Sequence, residues 1–170
     1  IHMYAKCGSM EHAIEVFNQM TQKDVVSWTA LIVGCMKHGS YTKALNLYER
    51  MSPEGVLPND VTFLCIMNAC AGLADLGQGE MIHDYILKIN IQPNVRIESA
   101  LVDMYAKCGE VVKAHEALES ILVRDIISWS ALITGYVQQH QCHEALNCFE
   151  RMKGEGLSPH VVTFTCILKA

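Results

Sequence analysis

Residues 125–135 read DIISWSALITG and residues 24–34 read DVVSWTALIVG, so one stretch occurs twice, with an offset of 125 − 24 = 101 residues. The same offset relates MYAKCG at 3–8 to 104–109, ERM at 49–51 to 150–152, and VTF at 61–63 to 162–164. A fixed period is the sequence mark of a repeat architecture. The rest of the chain is therefore interpreted in terms of this period.

Small residues divide the 101-residue unit further. They recur, with spacings of 31, 35, 35 and 31 residues, at Ala13, Ala44, Gly79, Ala114 and Ala145. A bulkier residue follows each of them after four positions and an apolar residue after seven, which places all three on one helix face. An apolar stretch precedes these helices, and short breaks lie at Gly8, Gly39, Ala74, Gly109 and His140. Each sub-unit is therefore predicted to be a helical hairpin.

The breaks between the paired helices predict left-handed turn residues, because glycine commonly ends a helix in that conformation. Ala74 and His140 replace glycine, which leaves room for another turn shape, since a positive φ strains a residue with a Cβ. Proline-containing links at Pro58, Pro93 and Pro159 end the 35-residue units.

If each unit ends after its link, the sequence contains complete units and two partial units that flank them. The chain is therefore interpreted as a segment of a longer protein. The complete units are 25–59, 60–94, 95–125 and 126–160, and the partial ones are 1–24 and 161–170. One hairpin cannot bury its apolar face alone, so neighbouring hairpins must stack. The predicted fold is an all-α, right-handed superhelical α-solenoid whose concave side is lined by first helices.

Composition restricts the function classes. With 51% hydrophobic and 18% charged residues, the chain can build a globular core. The net charge of −5 argues mildly against nucleic acid, although the placement of the 13 basic residues matters more. No apolar run reaches the ~18 residues of a membrane span, so no membrane partner is expected.

Catalytic and metal-binding patterns are not found in the sequence. The eight cysteines include no C-x-x-C pair, and equivalent cysteines in stacked repeats are too far apart to bond, so neither a disulfide framework nor a zinc site is predicted. No nucleophile lies beside a base at a motif spacing, and the H-x-E and P-C-x-x-C elements of zinc deaminases are missing. We therefore expect a binding protein without a cofactor.

The repeats resemble the pentatricopeptide repeat family, and specifically its plant PLS-type subclass with alternating 35-, 35- and 31-residue motifs. The resemblance is carried by the segments 24–32, 61–63, 68–71, 82–83 and 100–109. It implies a partial S-type repeat (1–24), then P-type (25–59), L-type (60–94), S-type (95–125), P-type (126–160) and partial L-type (161–170) repeats. The alternative is a tetratricopeptide-like protein–protein interaction scaffold, whose uniform ~34-residue period fits the 31/35 alternation less well.

The resemblance implies a sequence-specific, single-stranded RNA-binding protein in which each repeat reads one base through two residues. The implied pairs are Thr29 with Asn59, Leu64 with Asn94, Ser99 with Asp125, and Ser130 with His160. Thr165 begins a further pair and Asp24 ends the first partial repeat. Asp24 and Asp125 also suit simple helix capping.

The base preferences follow from the chemistry of these pairs. An amide can donate a hydrogen bond and a carboxylate only accepts, so adenine is predicted at Thr29/Asn59 and guanine, two nucleotides later, at Ser99/Asp125. Leu64 has no hydrogen-bonding group, so its repeat is a spacer or a partner-binding unit. His160 departs from the family's usual Asp or Asn, which leaves its base open.

Two further sets of residues are implied to contact RNA. Residues that wedge between bases are Val26, Val61, Arg96, Ile127 and Val162, of which Arg96 could instead bind phosphate. Lys6, Lys37 and Lys107 share one column of the repeat, since 37 − 6 = 31 and 107 − 37 = 70. These lysines are assigned to RNA phosphates, with stabilisation of a helix end as the alternative.

The resemblance also implies a cellular setting. The family is imported into mitochondria or chloroplasts, and its PLS-type members mostly serve as specificity factors in organellar RNA editing or other RNA processing. A partner of the MORF type, an organellar RNA editing factor, is expected at the repeat 60–94. Any cytidine deaminase activity would lie outside this chain.

Overall fold

The computed structural model describes residues 1–89 and 94–168, with the side chain of Val162 left out. Within these residues the chain is helical and contains no strand. Its helices are α1 (His2–Lys6), α2 (Met10–Gln19), α3 (Val25–Lys37), α4 (Tyr41–Met51), α5 (Asp60–Leu73), α6 (Leu76–Lys88), α7 (Val95–Lys107), α8 (Val111–Ser120), α9 (Ile126–Gln138), α10 (Cys142–Gly154) and α11 (Val161–Ile167). The link at Pro93 lies outside the described residues.

The chain forms two compact units, Ile1–Leu73 and Ala74–Ala170. In the first unit, α3 packs on α4 and also on the helices α1, α2 and α5. In the second unit, α9 packs in the same way on α10 and on α7, α8 and α11. Each central helix therefore contacts its hairpin partner and the hairpins on both sides. This stacking confirms the all-α helical-repeat fold class, while the repeat boundaries and the superhelical hand stay predictions.

Two of the first helices begin with the same reciprocal cap. In α3, Oδ1 of Asp24 accepts the Ser27 amide at 2.8 Å, and the Ser27 hydroxyl returns to the backbone of Asp24. The bonds between Asp125 and Ser128 repeat this arrangement at α9, with the same 2.8 Å distance. Such caps satisfy backbone N–H groups that a helix start leaves unpaired. The repeated D-x-x-S pattern therefore fixes where these helices begin.

Tryptophans form the core beneath both caps. Trp28 and Trp129 are fully buried, and the Trp28 ring meets the edge of Phe17 with ring centroids 4.6 Å apart. The Trp129 indole N–H donates to a Glu155 carboxylate oxygen at 2.9 Å. Among the described residues, the indole nitrogen of Trp28 is the buried polar side-chain atom without a hydrogen-bond partner. The two copies of the motif thus differ in one buried hydrogen bond.

Close helix contacts occur at the small residues that recur along the chain. Ala44 in the first unit and Ala114 in the second are completely buried. A Cβ added to Gly79 would lie 2.4 Å from the Met104 sulfur, far inside van der Waals contact. A larger side chain at these positions would have to push two helices apart.

The turns between paired helices all share one backbone conformation. Gly8, Gly39 and Gly109 have φ values of 83°, 65° and 86°. Ala74 and His140 adopt the same left-handed conformation, with φ values of 53° and 59°. The possibility of a different turn shape at these two positions was wrong. At His140 the packing of α9 on α10 outweighs the strain of placing a Cβ in this region, which is modest for a single residue.

Candidate nucleic-acid interface

The predicted pair Thr29 and Asn59 is joined by a third residue. Oδ1 of Asn59 accepts both the amide and the hydroxyl of Thr62, each at 2.9 Å, and so caps the start of α5. The Thr62 oxygen lies 2.9 Å from the Thr29 hydroxyl. Because Thr62 uses its only proton on Asn59, Thr29 must donate to Thr62. The Asn59 amide N–H groups and a Thr29 lone pair remain for a ligand.

Ser99 and Asp125 meet directly. The Ser99 hydroxyl donates to Oδ1 of Asp125 at 3.0 Å, and the same oxygen caps α9 through the Ser128 amide. A carboxylate only accepts, so the Ser99 proton is committed to Asp125. What this pair offers to a ligand is Oδ2 of Asp125 and a lone pair of Ser99, which are two acceptors.

Ser130 and His160 are linked as Thr29 and Asn59 are. Nδ1 of His160 caps α11, with the Thr163 amide at 3.4 Å and the Thr163 hydroxyl at 2.7 Å. The Thr163 oxygen lies 2.8 Å from Ser130, whose hydroxyl also donates to the Ile126 carbonyl at 2.6 Å. Three predicted pairs are therefore brought together, each within one unit of the chain.

A cavity of about 250 Å³ lies beside the first of these pairs. Its lining is His2, Val26, Thr29, Ala30, Val33, Asn59 and Val61. The polar pair thus shares one concave surface with two of the residues predicted to wedge between bases. A mostly apolar cavity with a few convergent polar groups is the usual form of a small-ligand site.

The predicted wedge residues are exposed where the structure describes their side chains. Val26 and Ile127 are 68% and 63% exposed, and Val61 is 42% exposed. Arg96 is also exposed, next to the Asn94 cap of α7. The side chain of Val162 lies outside what the structure describes. Exposed valine and isoleucine side chains at the start of first helices cost hydration free energy that a stacked base would recover.

The three predicted phosphate-binding lysines differ in their surroundings. All three are exposed near the ends of first helices. Lys107 forms a 2.7 Å ion pair with Asp103, one helical turn before it. Within the described part of the chain, Lys6 and Lys37 lie near no carboxylate at ion-pair distance. Their charges are therefore more available to an anion than the charge of Lys107.

Leu64, Asn94, Asp24 and Thr165 belong to none of these three pairs. Leu64 belongs to the first unit and Asn94 to the second, where Asn94 accepts the Arg96 amide at 3.0 Å. Asp24 is exposed, and the hydrogen bond from the Ser27 amide lowers its pKa. The Thr165 hydroxyl donates to the Val161 carbonyl at 2.7 Å, so its proton is used within α11.

Sequence reasoning missed two kinds of site residue. His2 lines the cavity, and the repeat register could have found it, since 33 − 2 = 31 places it in the column of Val33. The buried hydroxyls of Thr62 and Thr163 contact the side chains of Asn59 and His160, whereas the buried Ser128 hydroxyl binds the backbone of Asp125. The repeated VTF segment hinted at the two threonines, but their partners depend on side-chain geometry.

No group of three or more His, Cys, Asp or Glu side chains within 1–89 and 94–168 is placed to hold a metal ion. None of the helices described has both the length and the apolar character that crossing a bilayer requires.

The fold defines a helical-repeat protein, and the polar pairs lie at the starts of its first helices. Models of the PPR repeat family match residues 23–72 and 124–170, and the PPR repeat model matches residues 1–25 and 99–126. The chain belongs to the pentatricopeptide repeat family.

Relatives are found among plant proteins. A pentatricopeptide repeat-containing protein of Arabidopsis thaliana, named as mitochondrial, is 39% identical over 172 residues, which cover 100% of this chain and 25% of the relative. Another, named as chloroplastic, is 35% identical over 169 residues, covering 99% of this chain and 20% of the relative. The chain spans about a quarter of the length of the curated relatives it matches.

Solved structures share the fold. The pentatricopeptide repeat protein PPR10 from maize matches with a TM-score of 0.82 and 22% identity, over 97% of this chain and 24% of that one. PPR10 has also been solved with an 18-nucleotide psaJ RNA element (TM-score 0.80, 22% identity, 97% and 25% of the chains). The pentatricopeptide repeat domain of Arabidopsis thaliana protein-only RNase P 1, in complex with tRNA, has a TM-score of 0.76 and 17% identity, over 98% and 92% of the chains.

Proposed function

We propose that this chain binds single-stranded RNA and reads bases with the polar pairs on its first helices. The observation that carries the proposal is the cavity of about 250 Å³ in which Thr29 and Asn59 lie beside Val26 and Val61. A base whose faces contact the two valines could turn its Watson–Crick edge toward the polar pair. Single strands leave that edge free, whereas duplex RNA does not.

The direction of each hydrogen bond supports a particular base. At Thr29/Asn59 the amide donates and the threonine oxygen accepts. Adenine carries an acceptor, N1, beside a donor, the N6 amino group, so it complements this pair. Cytosine has the same order of groups, but the small threonine leaves room for the larger ring. The pair therefore favours adenine.

Ser99 and Asp125 present two acceptors instead. Guanine is the base whose Watson–Crick edge carries two adjacent donors, N1–H and the N2 amino group. Adenine would set its N1 lone pair against an oxygen, which repels it. The same cap geometry, with a carboxylate in place of an amide, thus changes the base that fits.

The named neighbours agree with an RNA ligand, since PPR10 and the RNase P repeat domain were solved with RNA. A tetratricopeptide-like scaffold for protein partners would have apolar pockets along the first helices. In this chain the pocket carries a hydrogen-bonding pair whose members are oriented by Thr62. This feature favours base reading over peptide binding.

The cellular role we propose is that of a specificity factor in organellar RNA editing or other RNA processing. It is supported by relatives that are named as mitochondrial or chloroplastic. An editing factor of the MORF type is proposed to dock on the repeat 60–94, in its α6 part, where Met81 and Leu87 are 67% and 64% exposed. Loss of co-purification with such a factor in a Met81→Ser, Leu87→Ser variant would support this contact, and unchanged co-purification would contradict it.

Binding of short RNAs with a defined base order tests the central proposal. Polarity is taken as RNA 5′ to 3′ along the chain from N to C, as in similar proteins. A single strand with adenine, an unread uracil and then guanine should bind more tightly than one with the two purines exchanged. A duplex of the first strand should compete poorly. Equal binding of both orders and of the duplex would contradict base reading.

An Asn59→Asp variant makes the test specific to one repeat. Aspartate keeps the cap on α5 but replaces the donor by an acceptor, so the preference at that nucleotide should move from adenine to guanine. Asn46→Asp changes the net charge equally on the exposed surface of α4 and serves as the matched control. The control should weaken binding slightly without altering the order of the four bases.

A further inference from the structure

A second cavity in the first unit, of about 160 Å³, is formed by the second helices α2 and α4 and the C-terminal part of α3. Its lining is Ile14, Cys35, Lys43, Asn46, Leu47 and Arg50. It shares no lining residue with the cavity beside Thr29 and Asn59. The proposed RNA-binding surface therefore does not account for it.

The cavity exists because two of its residues are small. In the second unit, His115 and Tyr136 stand at the positions of Ile14 and Cys35, since 115 − 14 and 136 − 35 both equal 101. The two rings meet edge to face with centroids 5.9 Å apart, and the Tyr136 hydroxyl lies 2.6 Å from Nδ1 of His115. An isoleucine and a cysteine cannot occupy the volume of these rings, so a space remains in the first unit.

Arg50 lines this space and has an equivalent in the second unit. Arg151 lies 101 residues after it. The Arg50 guanidinium lies over the Trp28 ring, 5.5 Å from its centroid, and the Arg151 guanidinium lies over Trp129 at 5.2 Å. The two arginines therefore have the same environment on the side that faces the core.

The two arginines differ in their ion pairs. Arg151 donates through Nη2 to the Glu119 carboxylate at 2.6 Å. Asn18 occupies the position of Glu119 in the first unit, since 119 − 18 is again 101. Within residues 1–89 and 94–168, no carboxylate lies at ion-pair distance from Arg50. The second unit thus supplies from its own chain the carboxylate that the first unit lacks.

We propose that this cavity binds a small free monocarboxylate whose apolar part is about the size of a benzene ring. An apolar cavity of roughly 150 Å³ is large enough for benzene, and the volume here is about 160 Å³. The apolar part would contact Ile14, Cys35 and Leu47. The carboxylate would accept two parallel hydrogen bonds from Arg50, whose planar fork matches its geometry.

The test is a ligand-observed NMR titration of the chain with benzoate as the probe. Benzamide serves as the neutral counterpart, and inorganic phosphate as an anion without an apolar part. Benzoate should bind about tenfold more tightly than either, since it alone makes both the charged and the apolar contacts. Arg50→Gln should lower the affinity for benzoate by a similar factor. Lys88→Gln, which removes an equal charge from an exposed position on α6, should bind benzoate as the parent does.

A double variant, Ile14→His with Cys35→Tyr, introduces the ring pair of the second unit and should abolish benzoate binding. Circular dichroism checks that this variant folds. Arg50→Gln, a substitution at an exposed residue, tests the site independently of that result. Equal binding of benzoate and benzamide, equal affinities of the parent and Arg50→Gln, or a parent that binds no benzoate at millimolar concentration would each overturn the proposal.

Discussion

The Ser99 hydroxyl and the Asp125 carboxylate, 26 positions apart in the sequence, share a hydrogen bond of 3.0 Å. The same carboxylate oxygen caps α9 through the Ser128 amide. Helix capping and base reading were competing interpretations of Asp125. They are compatible, because one carboxylate oxygen serves the cap and the other remains for a ligand.

We expect Asp125→Asn to change base preference with little loss of stability. Asparagine caps helices as well as aspartate does, so its oxygen should keep both protein bonds and turn the amide group outward. The preferred base at that nucleotide should move from guanine to adenine, with ~1–3 kcal/mol of discrimination. Four oligonucleotides that differ only there would measure it. Asp84→Asn is the charge-matched control. If the parent and Asp125→Asn rank the four bases identically, Asp125 is a helix cap and does not read a base.

Replacing Lys6, Lys37 and Lys107 together by alanine should weaken RNA binding and keep the base order. Each phosphate contact on a single strand contributes ~0.7 to the slope of log affinity against log salt, so the slope should fall by about 2. Among single variants, Lys37→Ala should lower the slope more than Lys107→Ala, since Asp103 already neutralises Lys107. Lys43→Ala, on the second helix α4, should leave the slope near that of the parent. An unaltered slope in the triple variant would show that these lysines face solvent and do not contact RNA phosphates.

Ala114→Leu should destabilise the fold by ~1–3 kcal/mol, because the added atoms enter a completely buried helix contact. The control is Glu116→Leu, which places the same side chain on the exposed face of α8. Chemical denaturation followed by circular dichroism would report both. A denaturation midpoint for Ala114→Leu equal to that of the control would contradict the proposed register of the repeats.

The two buried tryptophans should respond differently to the same substitution. Trp129→Phe removes an indole N–H that donates to Glu155, whereas Trp28→Phe removes one that is buried without a partner. We expect Trp129→Phe to cost about 1–3 kcal/mol more than Trp28→Phe. Each variant is the control for the other, since the loss of ring volume is equal. Equal losses of unfolding free energy would show that the indole hydrogen bond contributes nothing.

Acid should destabilise the second unit through His83. Burial lowers the pKa of His83, with the nearby Asp84 carboxylate opposing the change. The folded chain then binds this proton less readily than the unfolded chain. The contribution of neutral His83 is complete above the unfolded pKa of ~6.5 and is lost as pH falls from there toward the folded pKa.

A His83→Asn variant should therefore show a smaller fall in denaturation midpoint between about pH 7 and pH 5. Asparagine can still bond the Tyr105 hydroxyl, which lies 2.9 Å from Nδ1 of His83. His143→Asn, at an exposed histidine, should follow the parent curve. Parallel curves for His83→Asn and the parent would contradict the assignment.

Residue spacing was sufficient to predict the helical hairpins, and the family resemblance indicated which polar residues would lie together, while their role as base readers stays a prediction. Equivalent residues such as Trp28 and Trp129 repeat with a fixed offset, and the repeat register alone indicates which helices are neighbours. Spacing could not predict the positive φ of His140, because the packing of the surrounding helices outweighs the backbone preference of a single residue. Nor could it predict that Thr62 joins Thr29 to Asn59, which depends on side-chain geometry.

Thr62, Ser128 and Thr163, which bind the proposed readers, determine how repeats can be grafted from one such protein into another. Thr62, Ser128 and Thr163 lie in the helix that follows the repeat whose readers they hold. The segment proposed to recognise one nucleotide therefore extends past the segment that folds as one hairpin. A graft that ends at the last proposed reader would leave behind the residue that binds it. A grafted repeat should keep its base specificity only when the graft continues three residues further, into the next helix.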